Sequence, residues 1–158
     1  MSNTEIKVRR LTAEDGDRVP ELLAVLASAF EDPDQYLSAV PTPAYVSRNL
    51  ANPNTIVVVA LADGAMVGGA ICYILNKIER EAPEFYLYDI GVVADFQRRG
   101  VATSLIKALA ALAKESGALS LYVQTEHASD NVAPTALYSG LGSSQAVLHF
   151  DIDFSRAA

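Results

Sequence analysis

Polar and apolar residues alternate through Glu5-Ile-Lys-Val-Arg-Arg-Leu11, as in a strand with one face buried, and Thr12-Ala-Glu-Asp15 follows with the composition of a helix start. Leu22, Leu23, Leu26 and Phe30 recur at helical spacing as far as Glu31-Asp-Pro-Asp34, where Pro33 among acidic residues predicts a stop. Thr42-Pro43 opens a second, shorter helix with Tyr45 and Leu50, which Asn52-Pro53-Asn54 breaks. Thr55-Ile-Val-Val-Val-Ala-Leu-Ala62 is a continuous β-branched run, and Asp63-Gly64 is a hairpin signal before a partner strand from Val67 to Leu75, so this antiparallel pair is expected to be buried on both faces. After a charged turn, Glu84-Phe-Tyr-Leu-Tyr-Asp-Ile-Gly-Val92 reads as the next strand. Val101, Leu105, Leu109 and Leu112 mark a helix ending near Gly117, with Lys114 in its last turn, and Leu119-Ser-Leu-Tyr-Val-Gln124 returns as a strand parallel to the previous one. Pro134 to Tyr138 reads as a short helix and Gln145-Ala-Val-Leu-His-Phe-Asp-Ile-Asp153 as a final strand. The predicted class is α/β of the mixed-sheet, α+β kind: a mostly antiparallel central sheet with one parallel β-α-β unit, flanked by helices.

Composition narrows the function classes. A chain of 158 residues, 51% hydrophobic with mean hydropathy +0.20, is expected to form a single domain over 1–158. No apolar run is long enough to cross a bilayer and no leader pattern precedes the first strand, so a cytoplasmic protein without a membrane partner is expected. Cys72 is the single cysteine and His127 and His149 are the two histidines, which excludes an internal disulfide and supports no metal site. Twelve Lys and Arg against nineteen Asp and Glu give a formal charge of −7, which repels nucleic acid and favours a cationic partner.

Chemistry concentrates in Gln97-Arg98-Arg99-Gly100-Val101-Ala102, between a strand and a helix. A helix entered through such a loop offers unpaired N–H groups and the positive end of its dipole to a pyrophosphate, and Gly100 removes a side chain where phosphate must come close. An ordinary solvated turn has the same composition.

This loop, together with the element order, resembles the GNAT superfamily of acetyl-CoA-dependent N-acetyltransferases, whose cofactor loop reads Gln/Arg-x-x-Gly-x-Gly/Ala. Asn131, Leu137, Tyr138 and Gly142 are similar to the family's Asn-x-x-Ala-x-x-Leu-Tyr-x-x-x-Gly segment, with Pro134 in place of Ala, an added Gly140 and Ser143 in place of an aromatic. Within the superfamily, Tyr88-Asp89-Ile90, Tyr122-Val123-Gln124, Ala136-Leu137-Tyr138 and His149-Phe150-Asp151-Ile152-Asp153 resemble the gentamicin 3-N-acetyltransferases, most closely in the C-terminal half.

The resemblance implies a GNAT fold and acetyl-CoA as co-substrate. In the family the strand to Val92 splays from its neighbour at a bulge, which Gly91 fits, and the pantetheine arm pairs with backbone at Val92 and Val93. By the same resemblance Gln97 belongs to the cofactor-binding loop, the backbone amides of Arg98, Arg99, Gly100, Val101, Ala102 and Thr103 hold the pyrophosphate with the Arg98 and Arg99 side chains adding charge, Asn131 contacts the cofactor arm, and Tyr138 donates a proton to the departing thiolate. The resemblance to polyamine and aminoglycoside acetyltransferases implies that Asp89 faces the substrate amine. A carboxylate in so apolar a run costs several kcal/mol to bury unpaired, so it is expected to have a cation, a hydrogen-bond donor or water beside it. Asp151 and Asp153 share one face of the expected last strand and join Asp89 as acceptor-binding candidates; Glu126, Asp32 and Asp34 are looser ones on loops.

The expected reaction is acetylation of a primary amine of an aminoglycoside, at the 3-amino group, a resistance activity. Other acceptors, namely a polyamine, another amino sugar or a protein N-terminus, fit the same chemistry. A non-catalytic acetyl-CoA-binding module is the remaining alternative, and Tyr138 argues against it. The oligomeric state is open, with the last strand able to pair or pack across a homodimer.

Overall fold

The computed structural model describes residues 4–126 and 132–157 and divides into two compact units, Met1–Gln124 and Thr125–Ala158. In the first, β1 (Ile6–Arg10), β2 (Thr55–Ala62), β3 (Ala65–Asn76), β4 (Pro83–Val92) and β5 (Ser120–Val123) form one sheet in sequence order, antiparallel except for the β4–β5 pair. This is the predicted mixed sheet.

The continuous apolar run of β2 serves two cores. Ile56, Val58 and Ala60 point to α4 (Val101–Glu115), where Val101, Leu105 and Leu109 are buried; Val57 and Val59 point to the opposite face, against α1 (Val19–Phe30) and α3 (Pro43–Ala51), where Leu22, Leu26 and Val46 are buried. Asp63 and Gly64 both have positive φ, 49° and 86°, which a tight two-residue hairpin requires. A register shift in the β2–β3 pair between Ala60 and Leu61 leaves the Met66 N–H needing a partner, and the Glu21 carboxylate of α1 accepts it at 2.8 Å.

Three elements depart from the expectations. The stretch after Thr12 is a 3-10 turn, Ala13–Arg18, closed by Asp15 accepting the Thr12 N–H at 2.8 Å. Pro33 begins a helix as well as following one: α2 (Pro33–Leu37) starts with Pro at its first position and Asp32 accepting the Gln35 N–H. In the second unit α5 (Val132–Ser139) forms, but no residue from 143 to 153 joins a strand, so the expected final strand is corrected. Alternation supplies a strand's faces without supplying a partner ladder, and here Leu148, Phe150 and Ile152 are exposed.

Gly91 sets how closely α1 lies on β4. A Cβ at that position would sit 2.8 Å from the Ala29 Cβ and 3.1 Å from the Leu26 Cδ2. Gly91→Ala is therefore expected to lower stability by about 1–3 kcal/mol, read as a lower urea midpoint at unchanged slope. An unchanged midpoint would mean that α1 is not seated by that contact.

Candidate active site

Along β4, Phe85 and Leu87 face the α4 core, and so do Ile90 and Val92. The alternation breaks between them because the β3–β4 register shifts there: Cys72 lies opposite Leu87 and Ile71 opposite Asp89, leaving Tyr88 as the extra residue of a bulge. The bulge turns Asp89 to the α1 side of the sheet. This corrects the expected position at Gly91, whose missing side chain serves helix packing instead.

Asp89 is half-buried, and the Tyr36 hydroxyl of α2 donates to its Oδ1 at 3.1 Å. The expected hydrogen-bond donor is thus a residue that the chain pattern did not single out. Burial pushes the Asp89 carboxyl above the ordinary aspartate range, and the Tyr36 bond opposes that shift. Burial, followed by the Asp89 charge, raises the Tyr36 phenol. Among the described residues no Lys or Arg pairs with Asp89.

The bulge also ends a pairing. β4 and β5 are in register from Glu84 opposite Ser120 to Leu87 opposite Val123, and no further. From Tyr88 to Val92 no strand among the described residues pairs with the β5 side of β4. The Val93 N–H donates to the Val67 oxygen of β3 at 3.0 Å, so by antiparallel alternation the backbone groups of Val92 and Ile90 point to that side. Gln97 Nε2 donates to the Val92 oxygen at 3.1 Å, leaving the Val92 N–H as the outward donor. Val93 is corrected: its N–H is spent on β3 and its oxygen accepts from Phe96.

The loop after β4 turns through left-handed residues, Arg98 at φ 58° and Gly100 at φ 79°. Gly100 is the N-cap of α4, and an added Cβ there would meet nothing within 4 Å, so the loop faces open space. The first N–H groups of the helix, from Val101 to Thr103, have no acceptor within it. Arg98 and Arg99 are both exposed; the Arg99 guanidinium lies 5.0 Å from the Phe96 ring centre and donates to the Asp95 main-chain oxygen. Gln97 is bonded to the Val92 oxygen, and the first N–H groups of α4 follow directly on Gly100.

A mixed sheet splayed beside a Gly-capped helix start is the frame on which the sequence match lies: residues 20–142 match the acetyltransferase (GNAT) family. The chain belongs to the GNAT family. This GNAT chain is similar to the solved structure of the aminoglycoside acetyltransferase HMB0005 from an uncultured soil metagenomic sample, at 38% identity and TM-score 0.91, covering 94% of this chain and 98% of that one. It is similar also to meta-AAC0020, another soil metagenomic aminoglycoside acetyltransferase, solved with sisomicin, at 27% identity and TM-score 0.84, covering 94% and 96%. A ribosomal-protein-alanine N-acetyltransferase from Brucella melitensis biovar Abortus 2308 shares the fold at 23% identity and TM-score 0.71, covering 95% and 99%. No curated protein matches the chain.

In the second unit Tyr138 lies on α5, and burial raises its phenol, which keeps its proton through neutral pH. Asn131 lies outside the described residues. The expected pairing of Asp151 and Asp153 on a strand face is corrected. Asp151 is exposed beside His149, with 3.0 Å between Oδ1 and Nε2, while Asp153 accepts from Ser155 and is lowered by those bonds. Glu126 is exposed, as is Asp34, while Asp32 caps α2. Cys72 is fully buried, which pushes its thiol up to about 12. Among the described residues no cluster of His, Cys, Asp and Glu could hold a metal and no helix is long and apolar enough to cross a membrane.

The Asp89 shift has a thermodynamic consequence. Its folded value lies above its unfolded one, so the folded state binds the proton more tightly and loses stability as pH rises from the ordinary aspartate value through the raised one. Asp89→Asn should therefore be more stable than wild type at pH 7, with the difference vanishing below about pH 4. Paired denaturation curves across that window check it, and a difference independent of pH would refute the assignment.

Proposed function

We propose that this GNAT protein transfers an acetyl group from acetyl-CoA to a primary amine of an aminoglycoside, at the 3-amino position, in a ternary complex, and so confers resistance in the cytoplasm. The observation that carries the reading is Asp89, a desolvated carboxylate held by one neutral donor and turned to the sheet face bearing α1. Such a group calls for a cationic ligand. The likeness to an aminoglycoside acetyltransferase over 94% of the chain supports the class of cation, and the resemblance to the gentamicin enzymes supports the 3-position.

The chain's own groups fit the cofactor. The open edge at Ile90 and Val92 suits an extended amide chain, and the N–H groups from Arg98 to Thr103, with no side chain at Gly100, suit a pyrophosphate. Acetyl-CoA held there supplies the acetyl group as an activated thioester. The Val92 N–H, unpaired within the sheet, is placed to polarise a carbonyl laid along that edge. An ammonium must lose a proton before its nitrogen can attack, and Asp89, raised toward neutrality, accepts that proton directly or through one water. By the family resemblance Tyr138, protonated at neutral pH, gives a proton to the thiolate as the carbon–sulfur bond breaks, and the second proton that the nitrogen loses on becoming an amide restores the phenol through solvent. Asp151 and Asp153, on the exposed C-terminal segment, add acidic potential that steers cations.

CoA release measured side by side with gentamicin, spermidine and a peptide amine tests the acceptor. Gentamicin should turn over fastest, the product should carry the acetyl group on its 3-amino nitrogen, and kcat/KM should fall as salt rises. A preference for the peptide amine would leave an acetyltransferase of another acceptor. Tyr138→Phe should lower kcat by tenfold to several hundredfold, roughly the range of general-acid help, while acetyl-CoA affinity is kept. Equal kcat in the folded variant would remove Tyr138 from the chemistry. Gly100→Glu should abolish the rise in Tm that acetyl-CoA gives the wild type, because a carboxylate then occupies the place of the pyrophosphate. A wild-type shift in that variant would move the cofactor elsewhere.

A further inference from the structure

The face of the sheet that carries Asp89 also carries a row of tyrosines across three strands. Tyr73 of β3 packs edge-to-face on Tyr88 of β4 with ring centres 5.7 Å apart, Tyr88 on Tyr86 at 5.4 Å, and Tyr86 stacks on Tyr122 of β5 at 4.8 Å with 9° between the planes. The row is fixed at one point by the Tyr86 hydroxyl, which donates to Gln124 Oε1 at 2.8 Å. It is also wet: Tyr88 is 57% and Tyr73 38% exposed. Asp89 lies beside the row: it follows Tyr88 directly on β4 and pairs with Ile71, two residues before Tyr73 on β3, and its charge, after burial, raises the Tyr73 phenol.

The rings do not share one plane, since Tyr88 stands at 73° to Tyr73 and 69° to Tyr86, and the row offers apolar ring faces and edges in turn, with negative potential over the faces and a rim of hydroxyls. Sugar rings present the complement, with C–H faces bounded by hydroxyls and ammonium groups. A linear polyamine matches the carboxylate without having a ring to lay on the tyrosines, and a peptide N-terminus brings one charge for a row of four rings.

We infer that Tyr73, Tyr88, Tyr86 and Tyr122 form an acceptor platform for a multi-ring amino sugar, one ring presenting its amine to Asp89 and the next rings lying along the tyrosines toward β5. This rests on the aminoglycoside reading and deepens it, because it makes ring number, and not charge alone, the basis of acceptor choice. Tyr88, the bulged residue, turns Asp89 to this face and is itself the most exposed ring of the row.

The test is calorimetric binding of gentamicin and of spermidine to wild type, Tyr88→Leu and Tyr122→Leu, with the acetyl-CoA thermal shift as the folding control. Tyr122 lies away from the bulge, so its variant holds if Tyr88→Leu disturbs β4. Loss of a ring face should weaken gentamicin on the order of tenfold in each variant while spermidine changes less than about twofold. The chain has no tryptophan, so quenching of its tyrosine emission by gentamicin is a second readout on wild type alone. Unchanged gentamicin affinity in both folded variants overturns the platform and leaves the aminoglycoside reading standing. An equal loss for spermidine overturns it too, since the rings would then only gather charge. A wild type that acetylates another amine and binds no gentamicin overturns both.

Discussion

One extra residue in β4 organises the site. Without the bulge at Tyr88, Asp89 would continue the line of Phe85 and Leu87 into the α4 core, where an unpaired carboxylate costs several kcal/mol. With it, Ile90 and Val92 rejoin that core, while Asp89 reaches the other face and the Tyr36 hydroxyl. Pairing with β5 stops at the same place, so a single irregularity presents the acid on one side of the sheet and opens the strand edge beside it.

The surroundings of the bulge show what keeps so tense an arrangement in place. Asp89 remains partly desolvated, a cost that the Tyr36 bond only reduces. The compensation lies in the two cores: Val57, Val59, Leu22 and Leu26 on one face and Val58, Leu87, Leu105 and Leu109 on the other are almost wholly buried. The close seat of α1 on Gly91 immobilises the strand directly after the acid. Rigid packing on either side of a costly group is how local strain at functional sites is usually held.

Much of this was legible in the chain. The doubly buried β2, the Asp63-Gly64 hairpin, the periodic α4 and the Gly100 loop all follow from local pattern, because each is decided by residues close in sequence. The bulge is legible too, though not from Gly91: apolar positions 85, 87, 90 and 92 break step between Leu87 and Ile90, a clearer signal than the glycine at 91. Pro33 signals a stop by its place after α1 and equally favours a first helical turn, and Tyr36 is legible only through that second signal. Its meeting with Asp89 joins residues 53 apart in the chain, which no local pattern reports. The tyrosine row was hidden likewise, since Tyr73, Tyr86 and Tyr122 become neighbours only through strand register. Alternation across 145–153 misled in the opposite direction, because a strand needs a ladder to join.

The side-chain amide of Gln97 has a consequence for how the molecule avoids its own kind. An open strand edge normally invites another chain to dock on it and seed aggregation, since it presents donors and acceptors in alternation. Here the edge runs only from Tyr88 to Val92, begins at a bulge and has the Val92 acceptor already occupied by Gln97. A foreign strand would find a short, bent ladder with a rung missing, whereas a slender ligand that needs only the Val92 N–H loses nothing. The gap in the sheet is therefore selective by what it withholds as much as by what it offers.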